Sequence, residues 1–223
     1  MATYNKDCEC NVESLISIFT VDDGVLKVLL LKKDKEPYKG YWALPTELLK
    51  TTDTLEDSIT NCVYQKTGIP SLFVKQCYTF STIDRCPDNR TIGVSYLGLV
   101  DSVTLLVKQE HIDNVELGWF NIKDLPKLAY DHEDVFNKAK ELLGKEINNV
   151  NIIKKLFPSD FTLPELQRVY EQVLGITIDR RNFRKKFVEQ NLIEDTLEFN
   201  DGGNGRPAKL YRFKDNLKDT TIL

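Results

Sequence analysis

Two stretches of this 223-residue chain hold residues whose type and spacing could do chemistry. The first is DRRNFRKKFVEQN, where Arg180, Arg181, Arg184, Lys185 and Lys186 crowd two turns of a helical pattern while Phe183, Phe187 and Val188 supply an inward face. A guanidinium can grip guanine bidentately, an amide such as that of Asn182 can address adenine, and the remaining cations suit phosphate oxygens. Standing alone, such a run is also an ordinary solvated face. The second stretch is TLEDSITNCVYQKTGI, residues 54–69, a helical pattern with Asn61, Cys62, Gln65 and Lys66 in its second half and no carboxylate among them. Divalent cations that activate water need several carboxylate oxygens. Gln65 adds no charge, and Lys66 repels a metal.

The order of elements around the basic stretch decides between its two readings. TLPELQRVYEQVLG is a marked helix, with Thr162 as N-cap, Pro164 in the first turn, Glu165 completing a capping box and Gly175 as the stop. A second helix starts at Asp179, and two extended runs follow, joined by the Gly-rich loop that carries Arg206 and Lys209. Helix, short turn, basic helix, hairpin is the order of a winged helix-turn-helix, whose second helix meets base edges with its N-terminal residues. Arg206 and Lys209 then stand where a wing touches DNA backbone or minor groove.

The first half predicts a mixed α/β domain with a helix packed on a sheet. SLISIFTV and VLKVLLLKK flank Asp22-Asp23-Gly24, a hairpin turn of the Asp-Gly type. Further strands are expected in KQCYTFSTID, RTIGVSYLGLV and VELGWFNIKDLP, and a helix in HEDVFNKAKELLGKEI. For the helix at 54–67, Thr54 and Asp57 form a capping box, Leu55, Ile59, Cys62 and Val63 make one apolar stripe, and Gly68 and Pro70 end it. NNVNIIKKLFPSDF reads as a connector with a short helical piece. The predicted division is 1–147 and 148–223.

Composition narrows the partners. The formal net charge is −4, yet basic residues outnumber acidic ones from 151 onward and the reverse holds before it, which suggests two domains with different partners. Five scattered cysteines imply no disulfide framework and point to a reducing cytoplasm. No apolar run is long enough to span a bilayer, and no His/Cys pattern reads as a metal site.

The stretch LPTELLKTTDTLEDSITNCVYQKTGI resembles the Nudix box, G-x5-E-x7-R-E-U-x-E-E-x-G-U, with U a bulky aliphatic residue. Val63, Gly68 and Ile69 fit. The initial Gly falls on Glu47, the first Glu on Asp53, the Arg-Glu pair on Asn61-Cys62 and the Glu-Glu pair on Gln65-Lys66. Together with YWALP, IDRCPDNRTIGVSY, AYDHEDVFNKAKELL, LQRVYEQVLG, DRRNFRKKF and GRPAKLYRF, nearly the whole chain resembles the Nudix-related transcriptional regulators. The resemblance implies an α+β chain: a Nudix-like α/β/α sandwich with a mixed sheet, then a winged helix-turn-helix. It also implies a homodimeric regulator, often a repressor, that binds operator DNA and senses a small molecule, either ADP-ribose or a pentose such as L-arabinose, without hydrolysing it.

Loss of the acidic box favours the pentose, with ADP-ribose kept open and no cofactor or metal expected. Lys32, Trp42, Asp84, Arg85, Arg90 and Tyr96 are the candidate effector-binding residues, because paired arginines suit phosphate or polyhydroxyl groups and an aromatic wall suits a ring. Asp84 and Arg90 serve equally as a salt bridge bracing the RCPDNR loop. Tyr130, Asp131 and His132 are expected to cap a helix or meet the other domain. Two further hypotheses stand beside the regulator: a hydrolase using displaced carboxylates at Asp53, Glu56 and Asp57, and a winged helix that binds protein instead of DNA.

Overall fold

In the structure, a computed structural model, residues 9–102, 116–157, 160–201 and 207–214 are described. Strand β1 (Asn11–Asp22) is the axis of the first half. Alternation sends Leu15, Phe19 and Val21 to one face and Ile16 and Ile18 to the other, and all five are buried, so both faces are covered. β1 turns through Asp23 and Gly24, both at positive φ (49° and 70°), into antiparallel β2 (Val25–Lys32), as an Asp-Gly hairpin requires. Its other long neighbour, β6 (Thr91–Leu99), runs parallel to it. β3 (Trp42–Ala43) and β7 (Leu117–Asn121) flank β2, β4 (Thr46–Leu48) pairs with β1, and β5 (Phe73–Phe80) pairs with β6. The result is a seven-stranded mixed sheet among the described residues.

Helix α1 (Leu55–Thr67) covers one face. Thr54 and Asp57 form the expected capping box, and Gly68 closes the helix at φ 70°. Ile59 and Val63 pack onto Ile16, Ile18 and Tyr96, while Ser58 Oγ meets Ser14 Oγ of β1 at 2.9 Å. Helix α2 (His132–Glu146) covers the other face through Val135, Phe136, Ala139 and Leu143.

The expected connector is more ordered than its sequence suggests. It contains a short helix α3 (Val150–Ile153) with Val150 and Ile153 fully buried, and a two-residue strand β8 (Phe161–Thr162). Helix α4 (Leu163–Leu174) has the Thr162–Glu165 capping box and the Gly175 stop. Helix α5 (Arg180–Glu189) follows, then β9 (Ile193–Phe199) and β10 (Lys209–Phe213), which join β8 in the order β8-β10-β9.

The core on the α2 side of the sheet continues without a break into the winged helix, through Ile147, Val150, Ile153 and Tyr170 to Phe183, Phe187 and Phe213. Polar contacts cross there too. The Tyr170 hydroxyl donates to the Ile147 carbonyl (2.9 Å), and the β1–β2 turn docks on α4. Gln172 Oε1 accepts from Leu26 N (3.1 Å), Gln172 Nε2 donates to Gly24 O (2.8 Å), and Arg168 donates to Asp23 O (3.2 Å). A Cβ on Gly24 would lie 2.7 Å from the Arg168 guanidinium, so this turn needs glycine for close approach as well as for its φ. Among the described residues no helix is long and apolar enough to cross a membrane.

Candidate functional site

Asp179 caps α5 by accepting from Asn182 N at 2.8 Å. Phe183 and Phe187 are buried and lie 5.3 and 5.9 Å from the Tyr170 ring, which fixes the rotation of the helix. That rotation leaves Arg180, Arg181, Asn182, Arg184 and Lys185 exposed on the far side and Lys186 half-buried. Among the described residues no carboxylate forms an ion pair with Arg180, Arg181 or Arg184. Lys185 faces Glu189 at 3.6 Å, an exposed pair that holds its ammonium only weakly. A cleft of about 260 Å³ separates α5 from β10, with Arg180, Arg184, Gln167 and Lys209 among its walls. Lys209 is partnered by Asp195 at 2.7 Å, and Arg206 lies outside the described residues. A row of guanidiniums at the start of a pinned second helix suits the major groove of DNA.

On α1, Asn61 and Gln65 are exposed and Cys62 is fully buried, with burial pushing its thiol up to about 12. The thiol therefore stays protonated and is a poor ligand. Lys66 is half-buried; its Nζ pairs with Glu47 at 2.8 Å and donates to the Thr46 carbonyl. The box positions thus offer two carboxylates, Asp53 and a Glu47 already neutralised by an ammonium, and do not fit a divalent cation. Among the described residues no group of three or more His, Cys, Asp and Glu gathers as a metal site. The displaced carboxylates do not repair this. Asp57 accepts from Thr54 N and Oγ1, and these bonds lower its pKa. Asp53 accepts from Thr52 Oγ1 at 2.8 Å, and Glu56 sits exposed in the first turn. Glu56 is ten residues before Lys66, roughly 15 Å along the helix.

The six predicted effector residues do not converge. Lys32 pairs with Glu116 at 2.9 Å and sits 5.7 Å above the Trp42 ring, which in turn meets Phe120 edge-on at 4.6 Å. Trp42 packs on the α2 side of the sheet, whereas Tyr96 is buried on the α1 side, its hydroxyl without a partner among the described residues. Tyr96 is therefore corrected to a core residue. Arg85 is corrected too. Its guanidinium is buried, with Nε (2.8 Å) and Nη2 (2.9 Å) on Asp131 and Nη1 on Glu13, so it is consumed by two carboxylates. Arg90 donates to the Ser81 and Thr82 carbonyls, both at 2.9 Å, and so braces the loop through backbone. Asp84 is exposed.

The Glu13–Arg85–Asp131 cluster is absent from the sequence reading. Gly93 makes room for it: a Cβ there would lie 2.8 Å from the Arg85 guanidinium. Asp131 stands at the N-cap of α2 but makes no side-chain cap bond. The neighbouring His132 is buried, and its Nδ1 accepts from Leu44 N at 2.9 Å. Burial, then the charges of Arg85 and Lys33, push the imidazole down to about 3, so it is neutral. A further unforeseen group is Tyr38, Tyr41 and Tyr130, with Tyr38 and Tyr130 4.4 Å apart, Lys33 5.0 Å over Tyr130 and Lys127 5.6 Å over Tyr41. The KDKEPYKGYW spacing holds the signal for it, since tyrosines and lysines alternate there.

Comparison with known proteins agrees with both halves. Residues 153–213 match the NrtR DNA-binding winged helix domain. Over 204 residues the chain is 31% identical to the ADPR responsive transcriptional repressor NtrR of Acinetobacter baylyi, covering 89% of this chain and 80% of that protein. The fold superposes on Shewanella oneidensis NrtR complexed with a 27mer DNA with a TM-score of 0.75, at 28% identity over 91% of this chain and 93% of the other. It also superposes on the NUDIX domain of S. oneidensis NrtR complexed with ADP ribose, with a TM-score of 0.55 and 25% identity over 63% of this chain and 94% of that one.

Proposed function

The chain belongs to the NrtR family of Nudix-fused winged-helix DNA-binding regulators, and from that premise we propose that it is a repressor released from its operator by ADP-ribose. In this reading residues 1–147 bind ADP-ribose without hydrolysing it, residues 148–223 hold operator DNA, and two copies act together so that paired recognition helices meet paired half-sites. The observation that carries it is the union in one chain of a guanidinium row on α5, free of ion pairs among the described residues, with a box helix that has lost its metal carboxylates. The first suits DNA; the second can hold a diphosphate but lacks, at its Asn61, Cys62, Gln65 and Lys66 positions, the carboxylates that would hold a metal to activate water.

ADP-ribose replaces the pentose as the proposed effector. Loss of the acidic box argues for a pentose only where a diphosphate has to be chelated through a metal. Lys66 weakens that argument, since an ammonium paired with Glu47 still has an N–H to donate to a phosphate oxygen without a metal. The ADPR-responsive relative and the ADP-ribose-bound Nudix domain support the same choice. The Tyr38–Tyr41–Tyr130 group with Lys33 and Lys127 offers stacking faces and positive charge of the kind a nucleotide uses.

The test is thermal melting of the purified protein with ADP-ribose, NAD, L-arabinose and xylose in separate samples. A ligand that binds only the folded state raises the melting temperature with its occupancy. ADP-ribose alone should do so, with no ribose 5-phosphate released when Mg²⁺ is added. A rise with a pentose and silence with ADP-ribose would overturn the assignment.

A further inference from the structure

The side chain at Lys66 is placed as a cation among oxygen ligands. Its Nζ lies 2.8 Å from the Glu47 carboxylate and donates to the Thr46 carbonyl. Thr46 Oγ1 in turn donates to Glu13 at 2.8 Å, which ties this spot to the buried Arg85 cluster. Lys66 is also the basic residue of the last turn of α1, where the carbonyl end of the helix favours positive charge. Cys62 is close enough for the charges of Lys66 and Glu47 both to act on its thiol. Glu47, Cys62 and Lys66 occupy three positions of the box, from β4 and from α1, and the fold gathers them at one point.

We infer that the Lys66 ammonium is the resident cation of this site, taking the seat of the divalent metal that the box pattern implies and making the domain independent of metal. The ammonium does three things there without a metal. It neutralises Glu47, it satisfies a carbonyl at the β4 edge, and it clamps the C-terminal end of α1 to that edge. An ammonium has three N–H donors, and two are engaged by Glu47 and Thr46. The third is available to an anionic oxygen of the effector, a consequence that rests on the ADP-ribose reading.

The experiment uses the full chain and the metal alone. Melting is followed in EDTA and in millimolar Mg²⁺ or Mn²⁺ for the wild type, Lys66→Glu and Lys66→Met. The wild type should melt at the same temperature in all three. Lys66→Glu, which sets two carboxylates and a carbonyl together, should melt lower in EDTA and recover with rising Mn²⁺. Lys66→Met should melt lower and ignore the metal. Saturable stabilisation of the wild type by metal, or a Lys66→Glu protein indifferent to it, overturns the inference.

Calorimetry with ADP-ribose keeps the test decisive if Lys66→Glu does not fold. Wild-type affinity should be equal in EDTA and Mg²⁺, at least about tenfold weaker in Lys66→Met, and near wild type in Lys66→Arg. Binding that needs Mg²⁺, or Lys66→Met binding like wild type, again overturns it. Absence of ADP-ribose binding in every buffer refutes the effector assignment instead, and the metal arm still decides the role of Lys66.

Discussion

His132 gives the buried cluster beside α2 a pH test whose size follows from its surroundings. The imidazole is wholly buried, its Nδ1 accepts the Leu44 N–H at 2.9 Å, and burial, Arg85 and Lys33 together hold its pKa near 3 against an ordinary 6.5. Above pH 6.5 the ring is neutral folded and unfolded, and its contribution is complete. Between 6.5 and about 3 the unfolded chain takes up a proton that the folded chain refuses, so stability falls as pH falls and levels off below 3. One proton corresponds to about 1.4 kcal/mol per pH unit, so lowering the pH from 6.5 to 5 costs about 2 kcal/mol through this residue. Urea unfolding at pH 7.5 and pH 5 measures it, with His132→Gln as the reference, because glutamine can accept the same N–H and does not titrate. The wild type should lose about 2 kcal/mol more than the variant. Equal losses in the two proteins would refute the buried neutral imidazole.

Other expectations concern function. Arg181→Ala and Arg184→Ala should each weaken specific DNA binding by about 1–3 kcal/mol if the side chain reads a base, measured by fluorescence anisotropy. Wild-type affinity in both would remove α5 as the recognition helix. Lys185→Ala should instead weaken binding to all sequences alike and lower the slope of log affinity against log salt by about one, as loss of one phosphate contact does. Gln172→Ala deletes two hydrogen bonds between α4 and the β1–β2 turn, at about 0.5–1.5 kcal/mol each. It should leave ADP-ribose affinity unchanged while blunting the ligand's effect on DNA, since coupling needs an element whose state both sites bias. An undiminished ligand response would exclude that turn as the link.

Local signals carried most of the fold. The α1 and α4 boundaries follow from Thr54, Asp57 and Gly68 and from Thr162, Glu165 and Gly175, because caps act within one turn of the chain. The Asp23-Gly24 hairpin and the basic face of α5 were legible for the same reason. β8 was not: two residues have no periodicity, and only pairing with β10 makes Phe161–Thr162 a strand. The scatter of the candidate effector residues follows from long-range geometry. Arg85 reads in sequence as one of a pair of arginines suited to phosphate, but its partners Glu13 and Asp131 are 72 and 46 residues away in sequence. Tyr96 lies on a strand buried on both faces, where alternation cannot tell pocket from core. The missing carboxylates of the box were plain from sequence. That a lysine there meets Glu47 was not, and this is what separates a lost metal site from a replaced one.

The most direct test of the account is a titration of ADP-ribose into the complex of the full-length protein with a DNA site selected from a random-sequence library, followed by anisotropy in EDTA. ADP-ribose should release the DNA at a concentration matching its measured affinity for the free protein, L-arabinose should not, and the ADP-ribose should be recovered intact. DNA that stays bound at saturating ADP-ribose, or a release that follows hydrolysis of the ligand, would contradict the account.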